Sequence, residues 1–138
     1  MALAALIFAS HVADDDQNLP CAALPLAGAT LLEHQVRRVV RAGAGHVVVL
    51  VERMPPQLLD AIDRLRRDGM RIDVARSVED AADRIHPEED VLVVADACLA
   101  DARAIERLAD SAAPAVLALA DQPGHEDFER IDAFHRWA

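Results

Sequence analysis

The chain contains few aromatic residues and few cysteines. Aromatic residues make up 3% of its 138 residues, tyrosine is absent, and Cys21 and Cys98 are the two cysteines. Two cysteines are too few for a disulfide framework, and their spacing matches no zinc motif. We therefore expect reduced thiols in a cytoplasmic protein. Alanine, valine and leucine must fill the core, which favours closely packed layers of helix on sheet over a surface on which ligands stack.

Positive charge and long apolar segments are also lacking. The formal net charge is -10, and an acidic surface disfavours binding to nucleic acids or anionic membranes. The apolar run from Met1 to Phe8 has no basic region before it and is too short to span a bilayer. We expect no nucleic-acid partner and no membrane partner, and we interpret this run as the first buried strand.

Strand-like and helix-like segments alternate along the chain. This alternation predicts an α/β fold of three layers, with a mostly parallel sheet and helices on both faces. The length is typical of one domain, residues 1–138. The predicted strands are Leu3–Ala9, His46–Glu52, Met70–Ala75, Asp90–Asp96 and Pro114–Ala120.

The segment from Leu24 to His34 predicts a turn followed by a helix. Gly28 is suited to the turn, and Thr30 with Glu33 forms the sequence pattern of a capping box. The helix is expected to run to about Ala42, with Gly43 as its left-handed C-terminal residue. The helical spacing of apolar side chains predicts its buried face as Leu32, Val36, Val39 and Val40.

Three further helices are predicted from their first residues. Pro55–Pro56 starts one of them, because proline fits the first turn of a helix, and Gly69 ends it. Ser77 and Asp101 are the expected N-caps of the other two. The buried face of the helix after Pro55 is predicted to contain Leu58, Leu59, Ile62 and Leu65.

Asp96 is the first candidate for a functional residue. It ends the apolar run Asp90–Asp96, which we expect to be a fully buried strand, and so it would face the ligand crevice of an open α/β sheet. A carboxylate oxygen there suits Mg²⁺ bound together with a nucleotide phosphate. The alternative is that Asp96 only ends the strand or caps the next turn.

The segment Ser10–Asn18 is predicted to be a loop at the carboxyl end of the first strand, where ligands of such sheets bind. It has no glycine, lysine or arginine to hold phosphate, and it carries three consecutive carboxylates, Asp14–Asp16. The acidic run is either a divalent-cation site or a solvated loop. His11 lies in the predicted crevice and is a candidate ligand contact.

The remaining polar residues indicate no further motif. No pair of the six histidines has the spacing of a zinc-binding helix, and His34 is expected on a helix surface. The arginines Arg37, Arg38 and Arg41 form a basic edge on the first helix, which is either a solvated face or an interaction patch.

These segments resemble the nucleotidyltransferases of the sugar-phosphate and molybdopterin-guanine type, which have a Rossmann-like α/β fold. Leu6–Ser10 stands for the family's first strand and the start of its loop. Gly28–His34 matches the family's G-K-P-L-L-E-H turn and helix, Ala42–Gly43 matches the A-G that ends this helix, and Val91–Asp96 matches a later strand with its metal-binding aspartate.

The resemblance implies a site and substrates. Asp96 would bind Mg²⁺, and the segment Ala9, Ser10 and His11 would contact the nucleotide. The implied partners are a nucleoside triphosphate and a small phosphorylated acceptor. The family continues with a substrate-binding portion and a second acidic ligand, so we expect the sequence ending at Ala138 to lack that portion.

Departures from the family pattern fall on the residues that handle phosphate. Ser10–His11 replaces the family's A-G, the following glycine and arginine are absent, and Cys21 or Ala22 stands where a lysine follows Pro20. Ala29 replaces the lysine of G-K-P. In the family these groups hold the triphosphate and stabilise charge in the transition state, and their loss lowers the rate strongly.

Two functional hypotheses follow. The first is a divergent nucleotidyltransferase, which joins a nucleoside triphosphate to a phosphorylated acceptor and releases pyrophosphate. The second is a non-catalytic relative that uses the same scaffold to bind a ligand or a protein. An exposed sheet edge or the segment Phe128–Trp137 is a candidate surface for a homo-oligomer.

Overall fold

The computed structural model describes residues 2–10, 12–13 and 16–111. The predicted strand Pro114–Ala120 and the segment Phe128–Trp137 lie outside these residues. The strands in the described part are β1 (Leu3–Phe8), β2 (Val12–Ala13), β3 (Asp16–Pro20), β4 (Pro25–Leu26), β5 (Ala29–Thr30), β6 (Ala44–Leu50), β7 (Ile72–Ala75) and β8 (Asp90–Val94). The helices are α1 (Leu31–Arg41), α2 (Pro56–Arg67), α3 (Val78–Arg84) and α4 (Ala102–Ala109), and a short 3₁₀ helix covers Cys21–Ala23.

Four parallel strands form the main sheet, in the order β7-β6-β1-β8. β1 is paired on both sides: Leu6 lies opposite Val48 of β6 and Val93 of β8. On the far side of β6, Val48 lies opposite Asp73 of β7. The predicted parallel sheet is therefore confirmed.

Helices cover both faces of this sheet, and the predicted three-layer, Rossmann-like α/β fold is confirmed. The larger core cluster joins one face to side chains of α1, α2 and α4, including Val36, Ile62 and Ile105. The smaller cluster joins the other face to α3 through Ala81. Connections between parallel strands are right-handed, so the direction in which the chain moves across the sheet decides which face a helix covers. The chain moves in one direction through α1 and α2 and in the other through α3, which therefore lies on the opposite face.

Small and branched apolar residues fill the core, as the scarcity of aromatic residues predicts. Alternation along β6 sends Val47 and Val49 to the larger cluster and Val48 and Leu50 to the smaller one. Of the four positions predicted to be buried on α1, three are fully buried: Leu32, Val36 and Val39. The fourth, Val40, is half-buried at the margin of the core.

The predicted buried face of α2 is wrong at one position. Leu59 is 44% exposed, whereas Ala61 is fully buried. The observed buried residues are Leu58, Ala61, Ile62 and Leu65, which follow the i, i+3, i+4, i+7 spacing of one helix face. Leu59 was predicted to be buried because it is hydrophobic, but the helical period places the smaller Ala61 against the core instead.

The predicted helix ends are confirmed within one or two residues. The Thr30 hydroxyl accepts from the Glu33 backbone, and the Glu33 carboxylate accepts from the Thr30 backbone, which completes the capping box. Ser77 and Asp101 cap α3 and α4. Gly69 ends α2 with φ of 89°, a conformation that glycine adopts without steric cost.

The strands β4 and β5 form a small hairpin in front of α1. Ala27 and Gly28 connect them with φ of 49° and 83°, and two positive φ angles are what a type I′ turn requires. The His34 Nε2 atom lies 2.5 Å from the Leu26 carbonyl oxygen. His34 lies on α1 outside its buried face, as predicted, and this contact ties the hairpin to the helix.

The prediction of a loop from Ser10 to Asn18 is also wrong in part. β2 and β3 pair in antiparallel fashion there, with Val12 opposite Pro20 and Ala13 opposite Asp16. Aspartate and asparagine are rare in strands, so the composition favours a loop. The pairing of strands, however, depends on backbone N–H and C=O groups and not on the side chains. Asp14 and Asp15 lie outside the described residues.

β8 is less buried than its apolar sequence predicts. Leu92 is buried, but Val91 is 43% exposed, and Val93 and Val94 are half-buried. The cause is position, because β8 lies at one end of the described sheet and has a paired strand on one side only within the described residues.

Within the described ranges, the helices are too short or too polar to cross a lipid bilayer.

Glu33 connects the start of α1 to α2. Its side chain is 4% exposed, and its Oε1 atom lies 2.7 Å from Nη2 of Arg64 on α2. Burial acts to raise the pKa of Glu33, but hydrogen bonds from Arg64 and from the backbone and hydroxyl of Thr30 outweigh it, so this pKa lies below its ordinary value of 4.5. The ionised carboxylate therefore stabilises the folded state.

Glu33→Gln should reduce stability at neutral pH and change its pH dependence. Glutamine can still close the capping box, but it loses the charge that attracts Arg64, and we expect a loss of about 1 kcal/mol. Because the folded-state pKa is lowered, the contribution of Glu33 is complete above its ordinary pKa and disappears as the pH falls through the lowered value. Urea denaturation from pH 7 downward should therefore show the two proteins converging below pH 4.5.

Asp83→Asn, at an exposed position of α3, serves as the matched control for this measurement. It also removes one carboxylate, and we expect its stability to follow the wild type over the whole pH range. A constant difference between Glu33→Gln and wild type at every pH would contradict the assigned role of the Glu33 charge.

Candidate functional site

The strand order places a crevice between the carboxyl ends of β1 and β8. From β1 the chain moves to β6 and then to β7 on one side, and it returns to β8 on the other side of β1. This reversal is a topological switch point, and ligands of open α/β sheets bind in the crevice that it opens. The residues that follow β1 and β8 are therefore the first candidates for a site.

Ser10 and Asp96 meet at this switch point. The Ser10 backbone N–H donates to the Asp96 Oδ2 atom over 2.6 Å, and the two residues are 86 positions apart in the sequence. Both are half-buried. A hydrogen bond to an ionised carboxylate is short and stronger than one between neutral groups, so it fixes the carboxylate at the mouth of the crevice. The structure thus brings together two residues that the sequence named separately.

The other two predicted contacts are placed differently. Ala9 is 1% exposed and belongs to the larger core cluster, and its N–H donates to the Leu50 carbonyl oxygen over 2.8 Å. Its methyl group therefore faces the core, and only its carbonyl remains to contact a ligand. His11 lies outside the described residues. The predicted ligand contacts of Ala9, Ser10 and His11 stay predictions.

A tight turn presents Asp96. The Cys98 N–H donates to the Ala95 carbonyl oxygen over 3.3 Å, which closes the turn Ala95–Cys98 around Asp96 and Ala97. Ala97 has φ of 56°, a left-handed conformation that costs a non-glycine residue about 1–2 kcal/mol. Strain of this kind persists where the surrounding contacts over-determine the backbone, often at functional sites.

Two side chains of α1 hold this turn and the residues after it. Gln35 Nε2 donates to the Cys98 carbonyl oxygen over 2.7 Å, and the Arg38 guanidinium donates to the Ala100 carbonyl oxygen. Arg38 is therefore more than part of the solvated basic edge described above. Sequence reasoning missed Gln35, although its position on the buried side of an amphipathic helix was a usable signal.

Cys98 has no sign of a reactive thiol. Burial raises its pKa, which keeps the thiol protonated and poorly nucleophilic at neutral pH. Cys21 and Cys98 are not joined by a disulfide in the described part of the chain, and the expectation of reduced thiols stays a prediction.

The structure places the Asp96 carboxylate at the crevice, and the binding of Mg²⁺ to it stays a prediction. In the described residues, no three His, Cys, Asp or Glu side chains cluster to form a metal site. Magnesium is, however, commonly held by one or two carboxylates together with substrate phosphates, and Asp96 supplies a carboxylate at the right edge. Two exposed arginines, Arg53 after β6 and Arg76 after β7, lie at the same edge of the sheet.

Comparison with known proteins supports the fold. The chain is similar to the crystal structure of Rv0371c from Mycobacterium tuberculosis H37Rv, with a TM-score of 0.57 and 17% identity over 79% of this chain and 59% of that one. It is also similar to a nucleotidyl transferase from Methanothermobacter thermautotroptrophicus, Mth528, with a TM-score of 0.56 and 20% identity over 79% of this chain and 57% of that one.

The chain therefore has a nucleotidyltransferase-like fold, and the resemblance read from its sequence is confirmed at the level of fold. It spans less than two thirds of the length of either structure. No protein-family model matches the sequence. No curated protein matches it either.

The strain at Ala97 gives a direct test of the turn that presents Asp96. Ala97→Gly should raise the stability by about 1 kcal/mol, since glycine adopts a positive φ without steric cost. Ala27→Gly, at the other left-handed alanine, should act in the same direction. Urea denaturation at neutral pH measures both changes.

The matched control is Ala104→Gly, within α4. There the same substitution should lower the stability by about 1 kcal/mol, because glycine is a poor helix former. If Ala97→Gly instead destabilised the protein as Ala104→Gly does, the left-handed turn next to Asp96 would be refuted.

Proposed function

We propose that the switch point between β1 and β8 binds a nucleoside triphosphate and that the protein transfers its nucleotidyl group. A phosphorylated acceptor attacks the α-phosphorus, a new phosphoanhydride bond forms, and pyrophosphate leaves. The observation that carries this proposal is the hydrogen bond from the Ser10 backbone to the Asp96 carboxylate, at the crevice of a fold shared with a nucleotidyl transferase.

Each part of the site has a role in this proposal. Ser10 orients the Asp96 carboxylate toward the crevice, and Asp96 supplies an oxygen ligand for Mg²⁺. When bound with the nucleotide, Mg²⁺ would neutralise phosphate charge. Arg53 and Arg76 follow β6 and β7 at the same edge of the sheet, and their positive charge would attract the triphosphate, with the Arg76 guanidinium also donating to the Glu52 carbonyl oxygen.

A second function is favoured by one feature of the sequence. The segment Ser10–Leu19 has no glycine, lysine or arginine, and preorganised donors of this kind supply much of the rate of a transfer reaction. A domain that binds a nucleotide without transferring it would need fewer of them. The two functions share the binding step and differ in the release of pyrophosphate.

Calorimetric titration with ATP, GTP, CTP and UTP, each with and without Mg²⁺, tests the binding step. We expect one nucleotide to bind in the presence of Mg²⁺ only. Asp96→Ala should weaken this binding by about tenfold or more, because a contact to a charged group contributes about 1.5–3 kcal/mol.

Asp101→Ser is the matched control for Asp96→Ala. It removes a carboxylate five positions away but keeps a side chain that can cap α4, and we expect wild-type affinity. If no nucleotide binds at millimolar concentration, or if Asp96→Ala and Asp101→Ser behave alike, the proposed site is wrong.

Release of pyrophosphate separates the two functions. The protein with the bound nucleotide is incubated with a panel of sugar phosphates, and pyrophosphate is measured with an enzyme-coupled assay. Release that depends on the acceptor and on Asp96 supports nucleotidyl transfer. Binding without release for the whole panel supports the non-catalytic function instead.

A further inference from the structure

We infer that Gln35 is a positioning residue for Asp96. It lies on α1 and does not reach the crevice, but it holds the turn in which Asp96 sits through the Cys98 carbonyl. The consequence for ligand affinity rests on the function proposed above. The structural part, that Gln35 fixes the contact between Asp96 and Ser10, does not depend on that function.

The burial of Gln35 is the first argument. The residue is 2% exposed on the core side of α1, between the fully buried Leu32 and Val39. Its Nε2 atom donates to Cys98, whereas its Oε1 atom is buried and has no hydrogen-bond partner among the described residues. A buried polar atom without a partner costs about 1–3 kcal/mol. An apolar side chain would avoid this cost. The hydrogen bond from Nε2 to the Cys98 carbonyl oxygen therefore explains why an amide lies at this position.

The second argument is a continuous path from Gln35 to the crevice. Gln35 bonds the carbonyl of Cys98, whose own N–H closes the turn on Ala95. Asp96 is the second residue of that turn, and its carboxylate accepts from Ser10. One hydrogen bond thus joins Gln35 to Cys98, and Cys98 is two residues after Asp96, the residue proposed to bind the ligand.

The third argument is that α1 binds this loop at two points. Arg38, one helical turn after Gln35, donates to the carbonyl of Ala100. Two bonds from one helix fix both the position and the direction of the loop, while a single bond would leave it free to pivot. Gln35 acts on the carbonyl nearer to Asp96, so we expect it to have the larger effect on the carboxylate.

Outer partners that orient a ligand typically contribute about 10–100-fold to affinity or activity. Removing the Gln35 amide should therefore lower the affinity for the magnesium nucleotide by about tenfold. The free energy of unfolding should change little, because the unpartnered Oε1 atom is lost together with the hydrogen bond. Lower affinity without lower stability is the pattern that separates positioning from a general structural role.

The test compares Gln35→Leu with Val39→Ala, which removes buried volume from the same helix and changes no hydrogen bond to the loop. Val39→Ala should lower the melting temperature and keep the affinity for the magnesium nucleotide, whereas Gln35→Leu should do the reverse. Gln35→Met, which is unbranched like glutamine, replaces the leucine variant if that variant folds poorly. Equal affinity of wild type and the Gln35 variant would overturn the role in ligand binding.

The backbone amide resonance of Ser10 gives a readout without any nucleotide. Its hydrogen bond to a carboxylate should shift this proton downfield, and Asp96→Asn defines the shift observed when the charge is removed. We expect Gln35→Leu to move the resonance in the same direction and Val39→Ala to leave it in place. If the resonance does not move in the Gln35 variant, the positioning role fails even where nucleotide binding is confirmed. If it moves but no nucleotide binds to wild type, only the proposed function fails.

Discussion

The pairing of β1 on both of its sides determines the geometry of the molecule. β6 and β8 are both parallel to β1 and lie on either side of it, so the chain has to reverse direction across the sheet between β7 and β8. This reversal brings Ser10 and Asp96, which follow β1 and β8, to the same crevice. Strands buried on both faces need small, branched side chains at high density, and the alanine and valine of β1 and β6 meet that need without aromatic residues.

α1 links the core to this crevice. One part of the helix packs on the sheet, its first turn is fixed by the capping box of Thr30 and Glu33, and Gln35 with Arg38 reaches the loop after β8. The site is therefore built on a regular element, while only a short turn carries its carboxylate. Rigid support of this kind favours a defined position for a ligand group. It also means that the parts of the sequence most similar to the nucleotidyltransferases are largely scaffold.

The features that depend on residues close together in the sequence were predicted correctly. The capping box, the N-caps Ser77 and Asp101, and the alternation of strands and helices are determined by neighbouring residues, and all of them are present. Leu59 and the exposed side of β8 were predicted wrongly, because burial depends on what packs against an element and not on its hydrophobicity alone. Asp96 could be chosen from its position after an apolar strand. The burial of Gln35 could be predicted from the helical period of α1, but its hydrogen bond to Cys98 could not, since the partner lies 63 residues away and only the folded chain brings the two together.

Glu33 has a consequence for how this sequence can diverge. Its carboxylate accepts from the backbone of Thr30 and from the guanidinium of Arg64 at the same time, so we expect positions 33 and 64, 31 residues apart, to change together. A homologue with an uncharged residue at position 33 loses the main partner of a basic residue at position 64. A homologue with glutamine at position 33 can keep the helix start and lose only the tie to α2. Among related sequences, covariation of these two positions would therefore record the packing of α1 on α2, independently of any change at the crevice.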